Sequence, residues 1–215
     1  MNKRGLAMHQ RTSPIAMGLV PKNVGILNGC PVALTYLGEK RRSRLFLTDL
    51  SHVPKWAFHR KDMDGAESFG LEMPRKPGQV TVVGDRFGVR LTPTECLILV
   101  LRGEAPVPEE VAYTDMTDGY AAFAVVGSSC LDLLGKLSPV DMEAQEQGVP
   151  CAAQAPVHDL RCVILRLEGK EVIPGLIILG ERGYGPFLLN VLLDAGKEFG
   201  LSPAGWRRFE TWLKR

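Results

Sequence analysis

The order of polar and apolar positions along the chain spells out many short strands and few helices. Lys55-Trp56-Ala57-Phe58-His59-Arg60 alternates polar and apolar residues, as a half-buried strand does. Cys96-Leu97-Ile98-Leu99-Val100-Leu101 is apolar throughout, which predicts a central strand. Val32–Tyr36, Leu45–Leu47, Gln79–Val83 and Gly88–Leu91 are further strand candidates, the last two flanking a turn at Gly84-Asp85. Tyr120–Val126, Cys162–Leu167 and Val172–Leu179 continue the series. Helical spacing is predicted at four places. Asp62 is placed to cap a short helix over Met63–Phe69, and Gly127-Ser128-Ser129 to start one carrying Leu131, Leu133, Leu134 and Leu137. Phe187–Phe199 has Leu188, Val191, Leu192, Ala195 and Phe199 on one face and is stopped by Gly200. Pro203, read as a helix first turn, begins a last helix with Trp206, Phe209 and Trp212-Leu213. Residues 1–30 read as an irregular N-terminal arm, and Glu143–Gln154 as a mobile stretch between elements.

This order is stated twice. Thr48-Asp49-Leu50-Ser51 and Thr114-Asp115-Met116-Thr117 each open a series of strand, helix-like stretch, Pro-marked turn and two apolar runs. The expected organisation is one domain over 31–215, made of two related halves at about 31–104 and 111–215, with the Pro- and Glu-rich seam Ala105–Glu110 between them. The fold class is α+β, mostly antiparallel sheet with helices on one side. Asp49 and Asp115 are expected at equivalent strand starts, each holding a turn through its side chain rather than forming an active-site pair.

Composition narrows the class. In 215 residues, 45% are hydrophobic and 23% charged, as in ordinary globular proteins. A formal net charge of +2 speaks against a nucleic-acid binder. The basic run Lys40-Arg41-Arg42-Ser43-Arg44 reads as a solvated loop, with partner docking as its minority alternative. The five cysteines, with no CxxC pair, suggest reduced thiols and a cytoplasmic setting. The apolar runs are strand length, well below the ~20 residues of a membrane span.

Nucleotide-binding, metalloprotease and nucleophile-elbow signatures are absent. His9, His52, His59 and His158 lack metal-ligand spacing, so no metal is expected. His158-Asp159 reads as a structural pair pointing to opposite strand faces, and Ser128-Ser129 as helix caps. Gly180-Glu181-Arg182-Gly183-Tyr184-Gly185-Pro186 joins an apolar strand to a helix. It reads as a turn needing positive φ, with a ligand-approach loop as the functional alternative.

Arg182-Gly183-Tyr184-Gly185-Pro186-Phe187, followed by Ala195–Gly205, resembles the closing segment of the folate-binding domain of the glycine-cleavage T-protein (aminomethyltransferase) family. Thr48–His52 and Lys55-Trp56-Ala57 resemble that family's early strand. Asp115–Tyr120 through Leu137–Asp141 is closer to the γ subunit of heterotetrameric sarcosine oxidase, and Gly88–Glu95 fits both. The resemblance implies duplicated ferredoxin-like halves and, in active members, a tetrahydrofolate pocket. It places Asp85 where an Asp positions the folate amine, and puts the Gly183, Tyr184 and Gly185 loop and Arg207 beside the cofactor. It also places Val89 where a folate-contacting Tyr is usual, and Leu188 where a Glu recognises the pterin. An apolar side chain there leaves pterin donors unpaired, at ~1–3 kcal/mol for each buried group. The expectation is therefore a non-catalytic subunit with no tightly bound folate, packed on a flavoprotein oxidase or methyltransferase partner or on its own copy. The alternative is a tetrahydrofolate-binding aminomethyl transferase. An iron–sulfur assembly role is the weakest reading, since Val149-Pro150-Cys151-Ala152 does not reproduce that branch's cysteine motif.

Overall fold

A computed structural model describes residues 11–214 apart from 41, 42, 104, 106, 109, 110, 146 and 147. Residues 106, 109 and 110 of the expected seam at 105–110 lie outside the described residues. The first element is a hairpin of β1 (Pro21–Leu27) and β2 (Cys30–Tyr36), joined by Asn28-Gly29 with φ of 50° and 72°. Two left-handed residues make the turn that matches strand twist in a two-residue hairpin. A stretch expected as irregular arm is thus a strand. There follow β3 (Leu45–Asp49), β4 (Lys55–His59), β5 (Glu67–Ser68), β6 (Leu71–Glu72), β7 (Val80–Val83), β8 (Arg86–Thr92) and β9 (Glu95–Val100). The second part holds β10 (Tyr113–Asp115), β11 (Tyr120–Gly127), α1 (Cys130–Leu137), β12 (Cys151–Val157), β13 (Leu160–Glu168) and β14 (Pro174–Glu181). The chain closes with α2 (Gly185–Gly196), β15 (Ser202–Pro203) and α3 (Trp206–Leu213).

Two larger sheets carry the fold, in the orders β10-β4-β9-β8-β7 and β12-β13-β14-β11-β3-β15, antiparallel except where β15 joins β3. The architecture is α+β, mostly antiparallel. Strand alternation sorts the side chains into layers. On β9, Leu97 and Leu99 share a core with Leu165, Ile177 and Val126 of the facing sheet, while Cys96 and Ile98 point away toward Met63, Leu71 and Met73. The outer face of the six-stranded sheet is covered by α1 and α2 through Leu133, Leu134, Leu188 and Leu192. Trp206, Phe209 and Trp212 of α3 join the core between the sheets. At about 1.5–3 kcal/mol for each large apolar side chain taken out of water, this inter-sheet layer is the main source of stability.

The doubled motif marks a reciprocal exchange. β4 and β11 each start a series whose sheet order is the same: β4-β9-β8-β7 in one, β11-β14-β13-β12 in the other. The strand before each crosses over, so that β3 pairs with β11 and β10 pairs with β4. Matching hydrogen bonds fix both crossings. Asp49 Oδ1 accepts from the Ser51 amide and Asp115 Oδ1 from the Thr117 amide, both at 2.8 Å. The Leu50 amide donates to the Ala122 carbonyl and the Met116 amide to the Lys55 carbonyl, again both at 2.8 Å. Ser51 Oγ and Thr117 Oγ1 accept from the Ala122 and Lys55 amides at 3.2 and 3.0 Å. The expected side-chain turns are present, at strand ends rather than strand starts. Asp115→Ala is expected to cost about 1 kcal/mol for its lost hydrogen bond, and Asp49→Ala more, because Asp49 also accepts from the Ser13 hydroxyl. Urea denaturation of both variants checks this ranking.

Several elements differ from the sequence expectation. Met63–Phe69 forms no helix. Phe69 and Gly70 take φ of 53° and 71°, and the chain folds back as the β5–β6 hairpin, whose Leu71 is buried against the sheet. Part of Glu143–Gln154 is the edge strand β12, pinned by the Ala152 amide to the Gly78 carbonyl at 2.9 Å. Pro203 lies in β15, and α3 begins three residues later. Ser129 occupies the N-cap of α1 but makes no capping hydrogen bond with its side chain.

Candidate functional site

The residues singled out from the sequence come to rest in three places. Asp85 sits in the turn between β7 and β8, where both carboxylate oxygens are taken by the Arg102 guanidinium at 2.9 Å. Gly183 and Tyr184 form a 3-10 turn after β14, with Tyr184 exposed. Gly183 adopts no positive φ, contrary to the turn expected there. Gly185 is the sterically required member, because a Cβ there would lie 2.8 Å from Ala121 Cβ and 2.9 Å from Ile15 Cδ1. Arg207 lies on α3, on the rim of a separate cleft shared with Arg44 and Trp212. Leu188 is fully buried on the sheet-facing side of α2, and Val89 in the inter-sheet core. His158 and Asp159 are side by side in the β12–β13 turn rather than on opposite strand faces, 3.3 Å apart and solvent-facing.

The polar groups that do converge lie at the β3 crossover, beneath residues 13–19. A cavity of about 460 Å³ opens there, lined by Ser13, Met17, Cys30, Tyr36, Thr48, Asp49 and His52 among others. The covering segment is tied down by a charged chain: Arg11 pairs with Asp118 at 3.0 Å, and Arg182 reaches both Asp118 and the Thr12 carbonyl. Asp49 is held at both ends, Oδ1 by the Ser51 amide and Oδ2 by the Ser13 hydroxyl. Thr48 Oγ1 is buried without a hydrogen-bond partner among the described residues.

Under this floor lies Lys55, whose side chain is fully buried. Its Nζ donates to the carbonyls of Val53, Ser51 and Leu50 at 2.7, 3.1 and 3.3 Å. Burial pushes its ammonium down to about 7, against the pull of Asp49. His52 is pushed down to about 3 by burial and then by the Lys55 charge, so its ring is neutral and packs edge-on to Trp206 at 4.8 Å. Tyr36 is pushed up to about 12 by burial and by Asp49, which keeps its hydroxyl protonated. All five cysteines are free and buried, and burial raises each thiol. A nucleophilic cysteine needs the opposite shift. His52 and Tyr36 are therefore neutral hydrogen-bonding groups at neutral pH, while Lys55 is a buried amine held in a cage of backbone carbonyls.

No protein-family model matches the chain, and no curated relative does. Among solved structures, a chain of the heterotetrameric sarcosine oxidase from Corynebacterium sp. U-96, in complex with pyrrole 2-carboxylate, is similar, with a TM-score of 0.63. The likeness covers 75% of this chain and 88% of that chain at 20% sequence identity. What the two share is the fold. Among the described residues, no helix is long and apolar enough to cross a membrane, and no three His, Cys, Asp or Glu side chains form a metal-binding group.

Sequence reasoning missed Lys55. Its alternating neighbours placed it on the outer side of a strand, whereas it is the first residue after the crossover and turns inward.

Proposed function

We propose that the chain is a non-catalytic subunit of a sarcosine-oxidase-type assembly of one-carbon metabolism, seated against a larger flavoprotein oxidase or methyltransferase subunit. The observation that carries this reading is the fold match over 88% of a chain from a heterotetrameric oxidase. The site residues agree with a supporting role. Asp85 spends both oxygens on Arg102, and Leu188, at the position where the resemblance would put a pterin-recognising Glu, is buried in the core. The reciprocal crossovers support descent from two ferredoxin-like halves, the plan of the aminomethyltransferase folate domain.

The test is affinity isolation of the full chain from its source cells, followed by mass determination and flavin absorbance. The expected result is a larger flavin-containing chain at fixed stoichiometry. A monomer that comes down alone and gives a saturating heat with tetrahydrofolate in isothermal titration would replace this reading with that of a folate-dependent transferase.

A further inference from the structure

Beside α3 lies a second cleft, of about 870 Å³, which the crossover cavity does not share. Its rim carries Arg44, Lys170 and Arg207, and its buried floor is apolar, formed by Phe46, Val126 and Trp212. Arg44 and Arg207 are exposed, and among the described residues neither guanidinium has an ion-pair or hydrogen-bond partner. The acidic residues of the lining are already engaged. Glu39 accepts from the Tyr36 and Gly205 amides at 3.1 and 3.3 Å, and Glu171 lies 3.8 Å from Lys170. Arg208 is likewise engaged, stacked 4.3 Å over Phe46 and donating to the Lys40 and Ser43 carbonyls. What the rim presents outward is positive.

The apolar side of the cleft is held open at a conformational cost. Glu171 and Val172 take φ of 60° and 59°. A β-branched residue in the left-handed region is a genuine outlier, and such strain gathers at binding sites. Here it leaves Val172 69% exposed and Ile173 37% exposed, at the mouth of the cleft. The backbone behind them is fixed by the Trp212 indole, which donates to the Ile173 carbonyl at 2.9 Å. Ser43 and Arg44, from the basic run Lys40–Arg44, line the same rim.

We propose that this cleft is a docking site for an acidic peptide segment with an apolar anchor residue, contributed by a partner subunit. Arg44 and Arg207 would pair with its carboxylates while Val172, Ile173 and Phe46 take the apolar side chain. Arginine and exposed apolar residues together are the composition of an interface core, where most of the binding energy resides. The identity of the occupant as a partner subunit rests on the accessory-subunit reading; the chemistry of the cleft does not.

The experiment is selection of a random displayed-peptide library on the full chain, followed by fluorescence titration of a selected peptide. Enrichment of sequences combining Asp or Glu with Leu, Phe or Ile is expected. The double variant Arg44→Glu and Arg207→Glu is expected to weaken the selected peptide about tenfold or more, with an unchanged melting transition because both side chains are exposed. Replacing the peptide's Asp and Glu by Asn and Gln should weaken it comparably, and Val172→Asp should do so through loss of the anchor. Three results overturn the inference: no enrichment, enrichment indifferent to the charge reversal, or saturable binding of inorganic phosphate at the two arginines with no peptide selected. None of these touches the isolation of a flavin-containing partner from source cells, so the two readings fail separately.

Discussion

Gly127→Ala is expected to prevent the chain from folding stably. Gly127 ends β11 opposite Leu45 with φ of 140°, a conformation only glycine adopts readily. A Cβ there would lie 1.9 Å from the Arg44 carbonyl oxygen and 2.9 Å from Leu45 Cα, backbone atoms at the entry to the exchanged strand β3. No side chain can move aside to relieve that contact, so the strand itself must shift. The cost is of the exceptional kind, about 4 kcal/mol or more, against a typical total of about 5–15 kcal/mol. Gly135→Ala is the control with the opposite sign. Gly135 lies inside α1 with nothing within 4 Å of its would-be Cβ, so alanine there is expected to add about 0.5–1 kcal/mol. Circular dichroism during urea titration reads both. A Gly127→Ala variant within about 1 kcal/mol of wild type would show that the close approach of β11 and β3 is not a requirement of the fold.

Lys55→Met is the second large effect, and it carries a pH signature. Methionine fills a similar volume but leaves the Ser51 and Val53 carbonyls without their donor, while the Leu50 carbonyl keeps the Val53 amide at 3.0 Å. Two unpaired buried acceptors amount to about 2–4 kcal/mol. The linkage sign follows from the direction of the shift. Folding lowers the Lys55 pKa from 10.5 to about 7, so between those values the unfolded chain binds a proton that the native chain does not. Stability from this group therefore rises with pH across that window, is complete above 10.5, and is lost as pH falls through about 7. The wild type should gain on Lys55→Met as pH is raised from 7 toward 10.5. Denaturant midpoints measured across this range would contradict the assignment if the two proteins keep a constant separation.

These two sites also mark where the sequence was legible and where it was not. The apolar run at Cys96–Leu101 was legible as a central strand, and the two Thr-Asp motifs as matching side-chain turns, because apolar content and turn chemistry are local properties. The N-terminal hairpin carries one local signal, the Asn28-Gly29 dipeptide, inside a Gly- and Pro-rich stretch without strand periodicity. Met63–Phe69 has the composition of a short helix. It folds as a hairpin because Gly70 can take positive φ and because Leu71 and Met73 are needed on the sheet's outer face. Asp85, the Gly183 turn and Arg207 each carried a motif, yet nothing local states that Arg102 claims Asp85 or that Arg207 faces a cleft shared with Arg44. The inward turn of Lys55 follows from how residues 50–53 fold back to aim three carbonyls at its ammonium, a conformation that side-chain alternation does not encode.

The exchange of β3 and β10 has a consequence for how the molecule can be divided. Each of these strands is covalently part of one series and hydrogen-bonded into the other. Cutting the chain near residues 105–110 would strip one strand from each sheet and leave bare backbone edges on β4 and β11, templates for aggregation. The two pieces should complement each other when mixed and precipitate when kept apart. Sequence-distant pairing of this kind makes folding slow and all-or-none, so the molecule behaves as one indivisible cooperative unit despite being written as two.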